Sequence, residues 1–129
     1  MKFLLPAFGI AILAAGIPAY PHHSFAAHYF EEQSITVQGV LVEFEYKSPH
    51  AWVYLEVKDE AGQVQRISAE WANPSRLQQQ RISKDTLKIG DLLTISGSPG
   101  RNASERKMHL KSVERPADGW NWRGRDARP

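Results

Sequence analysis

The stretch ITVQGVLVEFEY, residues 35–46, repeats with a period of two and not 3.6. Ile35 and Val37, then Val40, Val42 and Phe44, mark the apolar positions, and the phase slips by one across Gly39. A glycine at such a slip predicts a bulge or sharp bend there, the device that curls one long strand around a small barrel. The pattern stops at SPH, around Pro49. AWVYLEVKD follows, with Ala51, Val53, Leu55 and Val57 on one face and Trp52, Tyr54 and Glu56 on the other. After a turn around Gly62, VQRISAEW aligns Ile67, Ala69 and Trp71 as a third strand.

NPSRLQQQRI changes character. Asn73 suits a helix cap and Pro74 the first helical position, where its missing N–H costs nothing. Two turns of helix are expected, then a turn at KIGD, a fourth strand in LLTISGSP, a polar loop, and a fifth strand in KMHLKSVE. Three strands, a short helix and two strands is the order of an all-β, five-stranded OB-type barrel with its helix between strands 3 and 4. A five-stranded open sandwich is the alternative. The length of 129 residues fits one such domain, placed at residues 34–115.

The N-terminus reads as an export signal. Lys2 precedes an uncharged apolar run from Phe3, and small residues lie between Ala14 and Ala19. A spanning helix needs ~20 apolar residues, and Pro6 and Pro18 crop this run below that length. Residues 1–19 are therefore expected to be cleaved, leaving a periplasmic protein with no stable transmembrane segment. Cleavage takes away Lys2, one of 16 basic residues against 14 acidic ones, so the mature chain is nearly neutral. Nothing in that balance draws a nucleic acid, and none is expected as a partner. There is no cysteine, which excludes disulfides, thiolate catalysis and Cys-based metal sites.

Between the signal and the barrel, residues 20–33 form a strap rich in histidine and aromatic residues. Within YPHHSFAAHYF it carries His22, His23 and His28. Neutral imidazole ligates copper or zinc, and His50, at a Pro-bent corner before the second strand, is the best outside partner. Adjacent histidines in an extended chain point opposite ways, so chelation needs a turn or a ligand from elsewhere. An amino-terminal copper chelate starting at Tyr20 is excluded because Pro21 lacks the amide N–H it uses. The other reading has these histidines bridging the strap to the barrel by hydrogen bonds while Phe25, Tyr29 and Phe30 bury against the sheet. His109, between Lys107 and Lys111, is expected to be exposed.

HHSFAAHYF, SPHAWVYLEVKDEAG and LKIGDLLTISGSP resemble the bacterial family of small exported proteins known as DUF6152. Its members carry a His-His-Ser-Phe-Ala start, an Asn-Pro-His-Ala-Trp segment and a late Leu-Lys-x-Gly-Asp turn. The resemblance runs from about His22 to Val113 and implies export and a β fold, with no activity attached. It transfers the positions His22, His23, Ser24, Phe25, Pro49, His50 and Trp52. Ser48 stands where the family has Asn, His28 where an acidic residue is usual, and the end of the chain is richer in Trp and Arg.

No catalytic constellation emerges. Ser24 beside His23 lacks a nucleophile elbow, and Glu43, Glu45 and Glu70 read as solvated strand faces, so a binding or accessory role is expected, with a protein or small ligand as partner. Its candidate surface is aromatic: Trp52 and Tyr54 on the outer strand face, and Trp120 and Trp122 in the tail of residues 116–129. The plainer reading has that tail folding back over Trp52 and Tyr54. The export reading predicts that protein isolated from its native host begins at or near Tyr20. An intact mass that retains Met1 to Ile17 overturns it.

Overall fold

The structure, a computed structural model, describes residues 25–125 and 127. The signal segment, His22 and His23 lie outside the described residues. Six strands form one sheet: β1 (Ile35–Glu45), β2 (Trp52–Lys58), β3 (Val64–Glu70), β4 (Leu92–Pro99), β5 (Lys107–Arg115) and β6 (Trp120–Arg123). Helix α1 (Pro74–Gln79) sits between β3 and β4. Asn73 caps it as its sequence predicts, the side chain accepting from the Arg76 N–H at 2.9 Å, with Pro74 in the first turn.

Long β1 serves two neighbours. Residues Ile35 to Val40 pair with β4, and Val40 to Glu45 pair with β2. β2 pairs with β3, β4 with β5, and parallel pairing of β3 with β5 closes the circle through Ser68–Lys107, Ala69–Met108 and Glu70–His109. The five strands thus make a closed OB-type barrel with one short helix, as expected from the strand order. Closure leaves the barrel without open edges. Leu41, Val53, Leu55, Ala69, Leu93, Ile95, Met108, Leu110 and Val113 fill it, and Trp71, Leu77 and Ile82 plug the end beneath α1. Tyr46, just past β1, places its hydroxyl 2.8 Å from the Ile82 carbonyl and 3.0 Å from that of Pro74, tying this plug to the barrel.

The phase slip in β1 lies three residues later than its sequence suggests. Val37, Gly39 and Leu41 keep one inward phase, while Val40 is 41% exposed. The register shifts between Leu41 and Glu43, after which Phe44 and Tyr46 pack on the core. The bulge is therefore at Val42, and Gly39 has a different task. A Cβ at Gly39 would lie 2.4 Å from the Glu56 carbonyl oxygen, so the glycine lets β1 bend against the backbone of β2. Gly97 does the same where β4 meets β5, its Cβ site falling 1.9 Å from the His109 carbonyl oxygen. Both obstacles are backbone, which cannot swing aside as a side chain can.

The segment ahead of β1 is tied to the end of β4. Tyr29 bridges to Gly100, and the Phe30 N–H donates to the Pro99 carbonyl at 2.9 Å. The Arg101 N–H donates to the His28 carbonyl at 2.9 Å, and its guanidinium sits over the Phe30 ring. Tyr29 is fully buried, whereas Phe25, expected to be buried, is only half-buried. Gly39→Val is expected to destabilise the barrel by roughly 1–3 kcal/mol, as overpacking of a filled core does. Urea denaturation checks this, and an unchanged midpoint would remove the close-approach argument.

Candidate functional site

His50 is fixed by the seam between the start of β2 and the end of β3. The Ala51 N–H donates to the Ala72 carbonyl at 2.9 Å and the Trp71 N–H to the Ala51 carbonyl at 2.8 Å. Just before this seam the chain passes a cis Ser48–Pro49 bond. His50 stands beside Glu70, with Nδ1 2.6 Å from Oε1. The other carboxylate oxygen of Glu70 accepts from the hydroxyl of Tyr29. Glu70 thus joins the strap to the corner.

A second carboxylate repeats the arrangement next door. His109, opposite Glu70 in the parallel pair, places Nδ1 2.8 Å from Oε1 of Glu31, while the Lys111 ammonium lies 2.9 Å from Oε2. Phe25 joins the two clusters. Its ring stacks flat on His109, with centroids 3.7 Å apart and planes 1° from parallel, and lies 5.3 Å from the His50 ring. Ionised carboxylates only accept, so each paired Nδ1 carries the proton and Nε2 is left as the free ring nitrogen of the neutral imidazole.

Burial and pairing move these groups in consistent directions. Burial pushes His109 below its ordinary value, against the opposing pull of Glu31. Burial alone would raise Glu31, but hydrogen bonds from Lys111 and His109 hold it below the usual carboxylate range. Tyr29 is held far above an ordinary phenol, first by burial and then by its bond to Glu70. Lys107 stands over the Tyr29 ring, its ammonium also 2.6 Å from Glu105.

These placements correct several expectations. His109 is covered by Phe25 and is not an exposed strand residue. Glu70 is not a solvated face; its side chain is only 16% exposed. His28 is exposed and takes part through its backbone. Among the described residues, no group of three or more His, Asp or Glu is placed to hold a metal ion. Of the predicted ligands, only His50 enters the cluster; His22 and His23 lie outside the described residues.

The four aromatic candidates divide between separate places. Trp52 and Tyr54 stack on each other at 6.4 Å, with Arg66 over Tyr54. Trp120 lies under Arg115. Trp122 packs edge-on against Trp71 at 5.0 Å and donates from Nε1 to Gln80 Oε1 at 2.5 Å. The tail does fold back, but onto Trp71 and the exit of α1 instead of Trp52 and Tyr54. It does so as β6, registered on β5 from Ser112 to Arg115. The signal for this strand was present: Asp118-Gly119 is a hairpin turn pair, and Trp120 and Trp122 alternate after it.

Residues 11–109 match the family described as a family of unknown function, DUF6152, and the chain belongs to that family. No curated protein matches it. Among solved structures it is similar to the mitochondrial single-stranded DNA binding protein Rim1 of S. cerevisiae. The identity is 11%, the TM-score 0.48, and the match covers 71% of this chain and 95% of that one. Among the described residues, no helix is long and apolar enough to cross a membrane.

The cluster sets a pH window for stability in protein freed of metal by a chelator. His109 titrates below its ordinary 6.5 when folded, so the unfolded chain takes up that proton first. Its contribution is full above pH 6.5 and is lost as pH falls through the folded value. Glu31, held below 4.5, adds a further loss at lower pH in the same direction. Tyr29 acts at the other end: its contribution is full below pH 10.0 and is lost as pH rises through the folded value. The midpoint of thermal unfolding is expected to be flat between these limits and to fall on both sides. In Tyr29→Phe the alkaline fall should shrink while the acid fall remains. An alkaline limb identical to wild type would show that Tyr29 is not its source.

Proposed function

We propose that this chain is an exported, periplasmic accessory protein that binds a transition metal, copper or zinc, where its N-terminal segment docks on the barrel, and that it binds without catalysing a reaction. The observation that carries this reading is the pair His50 and His109. Each engages a carboxylate through Nδ1, and both border the same Phe25 ring. Such a carboxylate fixes the tautomer and orientation of an imidazole and makes Nε2 a better donor to a metal. A set of imidazoles without thiolate suits copper or zinc.

The remaining ligand in this reading comes from His22 or His23, which precede Phe25 by three and two residues in the chain. The docking of Phe25 supports it, since its ring lies against His109 and His50 and so brings the described start of the chain to that pair. Burial also favours it, because a His109 that stays neutral keeps its Nε2 lone pair at neutral pH. Export is supported by the apolar run and small residues of positions 1–19.

Metal titration followed by thermal unfolding tests the reading. Wild-type protein should gain stability with Cu²⁺ or Zn²⁺, by about 2.7 kcal/mol when the free metal reaches a hundredfold excess over Kd. His50→Ala with His109→Ala, and separately His22→Ala with His23→Ala, should each remove most of that gain. Copper in the wild-type protein should show imidazole nitrogen coupling by electron paramagnetic resonance. A wild-type midpoint unmoved by either metal, or a full response in both double variants, would discard the site.

A further inference from the structure

We propose that the cleft bordered by α1, β5 and β6 is a binding site for a small organic anion carrying an apolar ring. This inference does not depend on the metal reading. The cleft has a volume of about 810 Å³, within the ~300–1,000 Å³ usual for small-molecule sites. Four cationic side chains line it: Arg76 from α1, Lys111 from β5, Arg123 at the end of β6, and Arg125 just beyond. No Asp or Glu stands among its described lining residues. Lys111 is already paired with Glu31, but Arg76, Arg123 and Arg125 form no ion pair among the described residues. All three are exposed and border the same hollow, so an anion seated there meets positive charge from α1 and from the end of β6. A carboxylate or sulfonate also matches the planar donor fork of arginine.

The apolar half of the site is built from rings that are already held. Trp122 is braced edge-on by buried Trp71 and anchored through its N–H to Gln80. Behind it the Gly124 N–H donates to the Lys111 carbonyl at 2.8 Å. A Cβ at Gly124 would press on the Trp122 ring at 3.1 Å, so this glycine keeps the chain close to the wall. Opposite, Phe25 stacks on His109. Fixed rings cost little further entropy when a ligand ring packs on them, and this preorganisation favours a flat guest over a flexible chain. The size of the hollow limits the guest to a few rings.

The test uses naphthalene-2-carboxylate and its neutral carboxamide, titrated calorimetrically into the whole chain with chelator present. The carboxylate should bind at least about tenfold tighter than the amide, with an affinity that falls as salt rises. Arg76→Gln with Arg123→Gln should weaken the carboxylate by about tenfold and leave the amide unchanged. Trp122→Ala should weaken both. Circular dichroism melts establish that the variants are folded, and the two exposed arginines keep the test usable if Trp122→Ala unfolds. Equal affinity for acid and amide, unaltered carboxylate binding in the arginine variant, or no carboxylate binding at millimolar concentration overturns the proposal. So does a short single-stranded oligonucleotide that binds more tightly and displaces the carboxylate. Because metal response and carboxylate binding are read separately, either site can fail alone.

Discussion

The parallel contact between β3 and β5 spans only three residue pairs, yet the rest of the molecule is arranged around it. Without it the sheet would be an open ribbon with β3 at one edge. With it, Ala69 and Met108 close the core, and Glu70 is brought opposite His109. Strand pairing fixes alternation, so the residues flanking Ala69 face outward together. Closure and site are thus one geometric fact. The seam that seals the barrel also gathers an acid and an imidazole that are 39 positions apart in sequence.

Carboxylates placed at a partly covered seam need partners, because removing an acid from water is costly unless it accepts strong hydrogen bonds. Glu70 and Glu31 each solve this with two donors, one on each oxygen: Tyr29 and His50 for Glu70, His109 and Lys111 for Glu31. Tyr29 and Glu31 belong to the strap, while Glu70, His50, His109 and Lys111 belong to the barrel. Docking the strap therefore satisfies barrel groups and strap groups at once. Removing one member leaves its partner buried and short of a bond, which costs more than the bond itself contributes. The full burial of Tyr29 supplies the apolar part of the same attachment.

The sequence carried the architecture well because each strand had its own signal. Alternation marked β1 to β5, Asn73-Pro74 marked the helix start, and strand order alone suggested closure. It failed where a third body decides the outcome. Gly39 was rightly singled out, but only the nearby Glu56 carbonyl shows that its task is clearance while the bulge sits at Val42. His109 and Glu70 read as solvated because alternation places them outside the barrel, and no periodicity reveals that Phe25 and Tyr29 cover that outer face. The pair at Trp120 and Trp122 was legible as a strand. Its partner Trp71 was not, since that contact depends on how the turn at Gly119 returns the chain.

Charge is distributed by element more sharply than the net of +2 suggests. Glu43, Glu45 and Glu56 lie on β1 and β2, where Arg66 and Lys47 answer two of them. Three of the arginines that have no acidic partner among the described residues, Arg76, Arg123 and Arg125, line the cleft beside α1 and β6. The His–carboxylate cluster stands at its edge, because Phe25 and His109 belong to both. Within this arrangement β6 is more than an extra strand. It holds Trp122 against the plug of the barrel and delivers Arg123 to the rim of the cleft. A five-stranded barrel closed at β3 and β5 would be complete without it. The tail is therefore best understood as the part of this chain that converts a closed barrel end into a lined and charged hollow.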